Sequence, residues 1–337
     1  MRVSPPLPRL LATALALTAT ATATATAAPP ATAPSSAAAP RGGGAAAVVD
    51  VSTAAQLKAA LTAARPGDTI RLADGTYRGN FKVTAPGSPT ARIVLTGSSR
   101  AVLTATGGYG LHLDGASYWT VYGLTVTGGQ KGIMTDRARG VVIDSVTVHG
   151  LTMEGVHFRS SSTDGVIRNS HIRDTGRDGR GMGEGVYVGT ANDLSDRSDD
   201  IRIEGNTIGP GVGGEGVDIK EGTTGALIVG NVFDGRGMTG VHYDDSWVDV
   251  KGNGVLVAGN TGRSTLNNGF EVHSQRPGWG CGTVFRDNHA DLTGATGPDR
   301  YAVHAPHHSS SCRTTVHADN TRTGGRGLAT PGVPVVD

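Results

Sequence analysis

One six-residue pattern recurs along this chain and constrains its fold more than any other feature. Each copy has glycine at its second position (Ala302 in the last copy), an apolar residue at its third and usually another at its fifth. The copies begin at Tyr109, Lys131, Glu154, Glu184, Glu215, Thr239, Asn268 and Tyr301, at intervals of 22 to 33 residues. Apolar alternation with a period of two predicts β-strands, and the regular recurrence predicts a stack of similar units.

A second pattern follows most copies, where an apolar alternation ends in asparagine. The asparagines are Asn206, Asn231, Asn260, Asn288 and Asn320, and Val146 and Ser170 hold the same place in earlier copies. Asparagine tolerates the left-handed backbone of a corner, and its side chain can bond the asparagine stacked above it. Each repeat has room for two or three short strands and no helix. The two patterns therefore predict an all-β fold, a right-handed parallel β-helix solenoid.

The N-terminal region indicates export. Arg2 and Arg9 precede a run of small and apolar residues, so residues 1–28 are predicted to be a signal peptide. Residues 29–46 are mostly Ala, Pro, Ser and Gly, which is typical of a linker. The predicted β-helix domain covers residues 47–325, and residues 326–337 are predicted to be a C-terminal tail.

A short helix is predicted at the start of the domain. Thr53 and Gln56 resemble a capping box, and Leu57, Leu61 and Ala64 share one helical face. A capping helix here would cover the first coil, whose strand edges would otherwise be open to aggregation.

The charge balance excludes some partners. The formal net charge of the full chain is +1, and loss of two arginines with the signal peptide leaves it close to neutral. Such a chain has no overall field to attract nucleic acid, so an acidic ligand would need a local patch. No later segment is apolar enough for a membrane span. Nothing indicates assembly, and a monomer is expected.

Cys281 and Cys312 are the two cysteines, and they lie about one repeat apart. An even pair in an exported protein favours a disulfide. Successive coils are about 4.8 Å apart, which suits a disulfide between the last two coils.

The outward side chains form a strip of ionisable groups. The fourth and sixth positions of each copy point away from the core. Position four is His112, Met134, His157, Tyr187, Asp218, His242, Glu271 and His304, and position six is Asp114, Asp136, Arg159, Gly189, Lys220, Asp244, His273 and Pro306. Glu154, Glu184 and Glu215 begin three consecutive copies. Structural ion pairs could explain a polar face, but the clustering favours a groove for an acidic polysaccharide.

These residue types suit β-elimination from a uronate. A base removes the C5 proton, the bond to the O4 leaving group breaks, and charge moves onto the adjacent carboxylate. Lys220 lies in a strand and could be neutral beside other cations. Acidic side chains could hold a Ca²⁺ ion that neutralises the carboxylate.

The stretches Pro66–Ile70 and Asp74–Tyr77 resemble the first coil of the pectate-lyase-like superfamily, in particular polysaccharide lyases of families six and nine. With the repeats, the resemblance covers about residues 48–325. In family six a lysine is the base and a calcium-binding glutamate lies five positions before it, so the resemblance implies Lys220 and Glu215. The family's second glutamate is Gly213 here, and its assisting arginine aligns with Asp244. Glu184 could replace the missing ligand.

The remaining roles leave alternatives open. The predicted catalytic set is Lys220, Asp218, Asp244 and a proton donor, either His242 or His273. A hydrolase could use Asp218 with Asp244 on adjacent coils, and an epimerase could use the same groove. A non-catalytic glycan-binding protein is the third hypothesis. The predicted substrate contacts are Arg159, Tyr187, Glu271, Trp247 and Trp279.

Overall fold

The computed structural model describes residues 46–337, which form a parallel β-solenoid. The predicted signal peptide and all but the last residue of the predicted linker lie outside the described residues. The described part contains one α-helix, α1 (Ala54–Ala63), and one short 3₁₀ turn, Val241–Tyr243. None of its helices is long and apolar enough to cross a membrane.

The strands are short and follow one another through turns. In chain order they are β1 Val48–Val51, β2 Thr69–Leu72, β3 Gly75–Arg78, β4 Phe81–Val83, β5 Ile93–Thr96, β6 Ala101–Thr104, β7 Tyr109–Asp114, β8 Trp119–Tyr122, β9 Thr125–Thr127, β10 Lys131–Asp136, β11 Val142–Asp144, β12 Thr147–His149, β13 Val156–Arg159, β14 Val166–Arg168, β15 His171–Arg173, β16 Val186–Val188, β17 Arg202–Glu204, β18 Thr207–Ile208, β19 Val217–Ile219, β20 Leu227–Val229, β21 Val232–Asp234, β22 Val248–Val250, β23 Leu256–Ala258, β24 Thr261–Arg263, β25 Phe270–Val272, β26 Thr283–Arg286, β27 His289–Asp291, β28 Tyr301–His304, β29 Thr314–His317, β30 Thr321–Thr323, β31 Gly327–Ala329 and β32 Val335–Val336.

Each coil contributes one strand to each of three parallel sheets. Sheet 1 has 12 strands in the order β1-β2-β5-β8-β11-β14-β17-β20-β23-β26-β29-β32. Sheet 2 has 10 strands, β3-β6-β9-β12-β15-β18-β21-β24-β27-β30, and sheet 3 has 10, β4-β7-β10-β13-β16-β19-β22-β25-β28-β31. The inward side chains form one continuous apolar core, as predicted for a parallel β-helix.

The repeated glycine makes room for a side chain from sheet 2. A Cβ atom on Gly155 would lie 2.6 Å from Cγ2 of Ile172, and one on Gly185 would lie 2.7 Å from Cγ2 of Ile208. Real Cβ atoms do not approach other carbons so closely. The second position of the pattern therefore excludes larger residues wherever sheet 2 presents a branched or aromatic side chain.

In one coil, the glycine lies in sheet 2 and the large side chain lies at the start of the sheet 3 strand. Trp247 directly precedes β22 and takes the place that Gly216 has one coil earlier, while Gly262 of β24 pairs with Phe233. A Cβ atom on Gly262 would lie 2.5 Å from Cε3 of Trp247. The indole thus fills the space that Phe233 fills in the preceding coil. Trp247 is 1% exposed, so the prediction that it contacts a sugar is wrong.

Because of this exchange, the strand of this coil lies in a different segment from the one that the glycine pattern predicted. The copy that begins at Thr239 is not a strand: His242 lies in the exposed 3₁₀ turn, and β22 starts at Val248. Asp249 pairs with Asp218 in sheet 3. Positions four and six of this coil are therefore Asp249 and Lys251, and not His242 and Asp244.

The predicted asparagine ladder is confirmed. Nδ2 of Asn231 donates to Oδ1 of Asn260 at 3.0 Å, and Asn260 repeats this contact with Asn288 at 3.0 Å. Each backbone N–H also donates to the next asparagine, at 2.9 and 3.0 Å. The side-chain amides of Asn206, Asn231, Asn260 and Asn288 therefore each bond the asparagine of the next coil, and Asn320 ends the ladder.

Both ends of the domain are built into the solenoid. Thr53 and Gln56 form the predicted capping box of α1, and Leu57 and Leu61 join the core. At the other end, β31 pairs with β28 and β32 pairs with β29. The region predicted as a C-terminal tail thus belongs to sheets 3 and 1.

The predicted disulfide is present. Cys281 and Cys312 are bonded, with Cα atoms 4.7 Å apart. Each cysteine lies just before a strand of sheet 1, β26 and β29, and these strands are neighbours. The bond therefore joins consecutive coils.

Candidate active site

The outward face of sheet 3 carries the predicted strip of ionisable side chains. Tyr187, Asp218, Asp249 and Glu271 stand in register on four consecutive strands, β16, β19, β22 and β25. Adjacent parallel strands lie about 4.8 Å apart. The parallel stacking thus brings together side chains that are far apart in sequence.

A chain of alternating charges runs along this strip. Lys220 forms an ion pair with one oxygen of Asp218, and Nζ of Lys251 lies 3.0 Å from the other. Lys251 also contacts Oδ2 of Asp249 at 2.5 Å, and Nδ1 of His273 lies 2.9 Å from Oδ1 of Asp249. We call these five residues the charge chain. Sequence reasoning missed Asp249 and Lys251, although the segments Val217–Lys220 and Val248–Lys251 share the order apolar, Asp, apolar, Lys.

Neighbouring charges set the ionisation of Asp249 and His273. Burial disfavours the ionised form of Asp249, but Lys251 and His273 outweigh it and lower the pKa of that carboxyl. Burial likewise opposes the charge on His273, yet Asp249 and Glu271 raise its pKa to about 9. His273 is therefore a cation at neutral pH.

Tyr187 stands beside Lys220 on the preceding coil. Nζ of Lys220 lies 4.9 Å from the centre of the Tyr187 ring. His157 packs against the other side of the tyrosine, with ring centres 4.4 Å apart, and its Nε2 lies 2.9 Å from the carbonyl oxygen of Gly189. Burial, followed by the charges of Asp218 and Glu184, raises the pKa of Tyr187, so the phenol keeps its proton. Within the described residues, its hydroxyl has no hydrogen-bond partner.

Glu154, Glu184 and Glu215 form a second row at the edge of sheet 3, which we call the acidic ladder. Oε1 of Glu154 lies 2.8 Å from Nζ of Lys131. The remaining buried oxygen of each ladder residue, Oε2, has no hydrogen-bond partner in the described part of the chain, and the same holds for Oδ2 of Asp244. Buried acceptors without partners are costly and rare.

Two members of the acidic ladder, Glu184 and Glu215, hold a proton more tightly than an ordinary carboxyl. Burial and the charges of Asp218 and Glu154 raise the pKa of Glu184 to about 8. Burial is also the main reason that the pKa of Glu215 is well above its usual value, and that the pKa of Asp244 is about 7. Asp244 therefore joins the site electrostatically, although it comes from the loop before β22 and not from a strand.

These carboxylates fit a divalent cation. Oxygens of Glu184, Glu215 and Asp218 lie within 4.8 Å of one another. Both oxygens of Asp218 are already held by lysines, so the free donors are those of Glu184, Glu215 and Asp244. Carboxylate oxygens are the donors that Ca²⁺ takes. The four carboxylates exceed the two ammonium groups of Lys220 and Lys251 by two charges, which one Ca²⁺ or two protons would balance.

Three other predicted site residues, Arg159, Glu271 and Trp279, belong neither to the charge chain nor to the acidic ladder. Arg159 donates to Asp136 at 2.8 and 3.0 Å. Glu271 accepts from Nδ2 of Asn268 at 2.5 Å and is buried. Trp279 is partly exposed beneath the guanidinium of Arg197, which lies 5.9 Å from its ring.

Two predicted pairings are not formed. His242 is exposed in its turn, and no described contact joins it to Lys220. The residue that neighbours Asp218 on the next coil is Asp249, so the predicted carboxylate pair of Asp218 and Asp244 on adjacent strands is wrong. Lys251, and not Asp244, occupies the place one coil onward from Lys220.

Comparison with known proteins identifies other proteins with this fold. A family model described as "Right handed beta helix region" matches residues 109–195. None of the curated proteins matches the chain in sequence. Among solved structures, pectate lyase Pel9A is 16% identical, with a TM-score of 0.64 over 83% of this chain and 72% of that one. The GH136 lacto-N-biosidase from Eubacterium ramulus is 13% identical, with a TM-score of 0.58 over 86% and 67%. Both likenesses concern the fold, a right-handed parallel β-helix.

A third structure is much nearer. The alginate lyase from Paenibacillus sp. str. FPU-7 is 38% identical, with a TM-score of 0.80, and the alignment covers 86% of this chain and 99% of that one. This chain belongs to the same family as that lyase, within the pectate-lyase-like β-helix superfamily that the first coil and the repeats predicted.

Proposed function

We propose that this protein is a polysaccharide lyase that cleaves a uronate polymer by β-elimination, with alginate as the first substrate to test. The observation that carries the proposal is the pairing of Lys220 with Tyr187 on adjacent coils of the charged strip. The family relationship to an alginate lyase supports the substrate class.

Lys220 is the proposed base. Its ammonium group has one carboxylate partner, and its side chain is 12% exposed at the edge of a buried cluster. In its neutral amine form, Nζ would take the C5 proton of the uronate on its lone pair and become an ammonium group. The C5 electron pair then forms the C4–C5 double bond, and the bond from C4 to O4 breaks.

Tyr187 is the proposed proton donor. A leaving O4 needs a proton, and a phenol that keeps its proton can supply one. Its position beside Lys220 allows both groups to act on one sugar bond. His242 is too exposed for this role, and His273 lies two coils from Lys220 and is held by Asp249.

Glu184 and Glu215 are the proposed ligands of Ca²⁺, with Asp244 beside them. When bound, Ca²⁺ would neutralise the substrate carboxylate and so favour loss of the C5 proton. Without the cation, a pKa of about 8 keeps a proton on Glu184 at neutral pH, whereas Asp244, with a pKa of about 7, is only partly protonated there. We also propose that the mature chain acts outside the cell, which the predicted signal peptide and the disulfide support.

The test is ultraviolet absorbance of the mature protein incubated with alginate, pectate, glucuronan and glycosaminoglycans, with Ca²⁺ and with chelator. Only a lyase makes the absorbing unsaturated uronate. Rising absorbance supports the proposal, and a fall with chelator supports the cation. A flat trace on all polymers contradicts it, and reducing ends or epimerised sugar in the same samples would identify a hydrolase or an epimerase.

A further inference from the structure

Two Asp–Lys segments lie in register on neighbouring coils, yet their lysines have different surroundings. Asp218 pairs with Asp249 between β19 and β22, and Lys220 and Lys251 follow two positions later. The ammonium group of Lys220 has one carboxylate partner and faces the Tyr187 ring. That of Lys251 has two carboxylate partners.

Lys251 forms ion pairs with two carboxylates, those of Asp218 and Asp249. Its Nζ lies 3.0 Å from Oδ1 of Asp218 and 2.5 Å from Oδ2 of Asp249. The residue is 7% exposed. Glu215, Asp244 and His273 are further charged groups that act on Lys251. Two of its three N–H donors are therefore used, and a substrate in the groove would meet Lys220 first.

Asp218 forms an ion pair with both lysines, Lys220 and Lys251. Its two oxygens are divided, one to each lysine, and the residue is 1% exposed. A buried carboxylate with one cation must keep that cation, because the unpaired charge is costly. With two cations, it can lose one and stay paired.

We propose that Lys251 is a positioning residue for Lys220. It holds one oxygen of Asp218, so that the other oxygen aims Lys220 at Tyr187. It also supplies a second positive charge to Asp218, so that this carboxylate stays paired when Lys220 leaves it. This inference rests on the proposed role of Lys220 as base.

The chain offers a matched control. Lys131 is another buried lysine of sheet 3, and its Nζ lies 2.8 Å from Glu154. It belongs to β10, three strands away from β19. Its Nζ also lies 3.3 Å from Nδ1 of His157, so replacing Lys131 removes a buried charge from the neighbourhood of Tyr187 without touching Asp218.

Kinetics on a cleaved polymer test the proposal with Lys251→Met, Lys251→Arg, Asp218→Asn, the Asp218→Asn/Lys251→Met double variant and Lys131→Met. We expect Lys251→Met to lower kcat about 100-fold with KM within about twofold, as for misplaced catalytic groups. The Arg variant should recover part of this loss. The double variant should be no slower than Asp218→Asn alone. Equal losses in Lys251→Met and Lys131→Met, or a loss confined to KM, would overturn the assignment.

A measurement without substrate separates this inference from the proposed function. Acetic anhydride acetylates neutral amines, and mass spectrometry gives the rate at Lys220 relative to the exposed Lys58. In Lys251→Met, Lys220 becomes the only lysine on Asp218, so we expect acetylation about tenfold slower than in the unmodified protein. Lys131→Met should show no change.

If Lys251→Met does not fold, Asp218→Asn decides the question. Lys220 then loses its ion pair and should be acetylated faster than in the unmodified protein. An unchanged or opposite rate at Lys220 in the folded variant overturns the proposal. This holds even if no polymer is cleaved, a result that would count against the lyase and not against Lys251.

Discussion

Two rows of stacked residues, the asparagine ladder and the acidic ladder, run along this solenoid. In the described part of the chain, buried side-chain oxygen atoms have hydrogen-bond partners in the first row, and each residue of the second row has one that lacks a partner. The asparagine ladder lies at the corner between sheets 1 and 2, and each amide there except the last, Asn320, bonds the asparagine of the next coil. The acidic ladder lies at the edge of sheet 3, and each of its glutamates has a buried oxygen without a partner. Stacked asparagines thus lower the free energy of the folded state, whereas stacked glutamates raise it.

The difference shows where the molecule has been shaped by function. Satisfied stacked amides lower the free energy of the folded state. Unpaired buried carboxylate oxygens raise it, and are retained where a proton, a cation or a substrate must bind. The charge chain lies beside the acidic ladder and belongs to the second region.

The largest expected effect comes from the functional region. Lys220→Met should reduce the rate of unsaturated product formation by about 10³-fold, because a general base contributes about 10² to 10⁴. The thermal unfolding midpoint should stay within a few degrees. An active Lys220→Met variant would contradict the assignment of the base.

The second-largest expected effect comes from a substitution in the asparagine ladder. Asn260→Ala removes the oxygen that accepts from the backbone N–H and from Nδ2 of Asn231, and Nδ2 keeps only its bond to the carbonyl oxygen of Ile203. We expect the free energy of unfolding in urea to fall by about 3 kcal/mol. The kcat of the folded protein should remain, since the corner lies away from sheet 3. A stability equal to that of the unmodified protein would show that the ladder is not a source of stability.

Glu184→Gln sharpens the comparison directly. It replaces a carboxyl with an unpaired buried oxygen by a neutral amide, so the free energy of unfolding should change little or rise. Activity should fall about 10- to 100-fold, as for a lost ligand or its support, and the dependence on Ca²⁺ should weaken. A variant with full activity and unchanged response to chelator would remove Glu184 from the site.

The smallest expected effect concerns pH. Burial and Asp249 raise the pKa of Glu271 to about 7 from the ordinary value of 4.5. The folded protein thus keeps a proton that the unfolded chain releases, and stability falls as pH rises from about 4.5 to 7. Glu271→Gln should make this decline shallower by about 1 to 2 kcal/mol, measured as urea unfolding at pH 5 and 8. Parallel pH curves for both proteins would contradict the shifted pKa.

The sequence predicted most of the architecture because local rules specify it. Period-two alternation, corner asparagines and the capping box at Thr53 depend on neighbours within a few residues or one repeat. The site was predicted less well, since register matters there. The segment from Thr239 satisfied the glycine pattern, whereas Val248–Val250 lacks the preceding glycine. The choice between them depends on how Trp247 packs, which no local pattern reveals.

The exchange between Trp247 and Gly262 has a consequence for how this family can change. A glycine at 247 alone would leave a void as large as an indole, and a branched residue at 262 alone would collide with it. We expect each single change to destabilise the fold, so the effects of substitutions at the two positions should be non-additive. Any lineage that crossed between the two packings had to change both residues nearly together or pass through a destabilised intermediate. The coil that carries Lys251 should therefore keep its register over long evolutionary times.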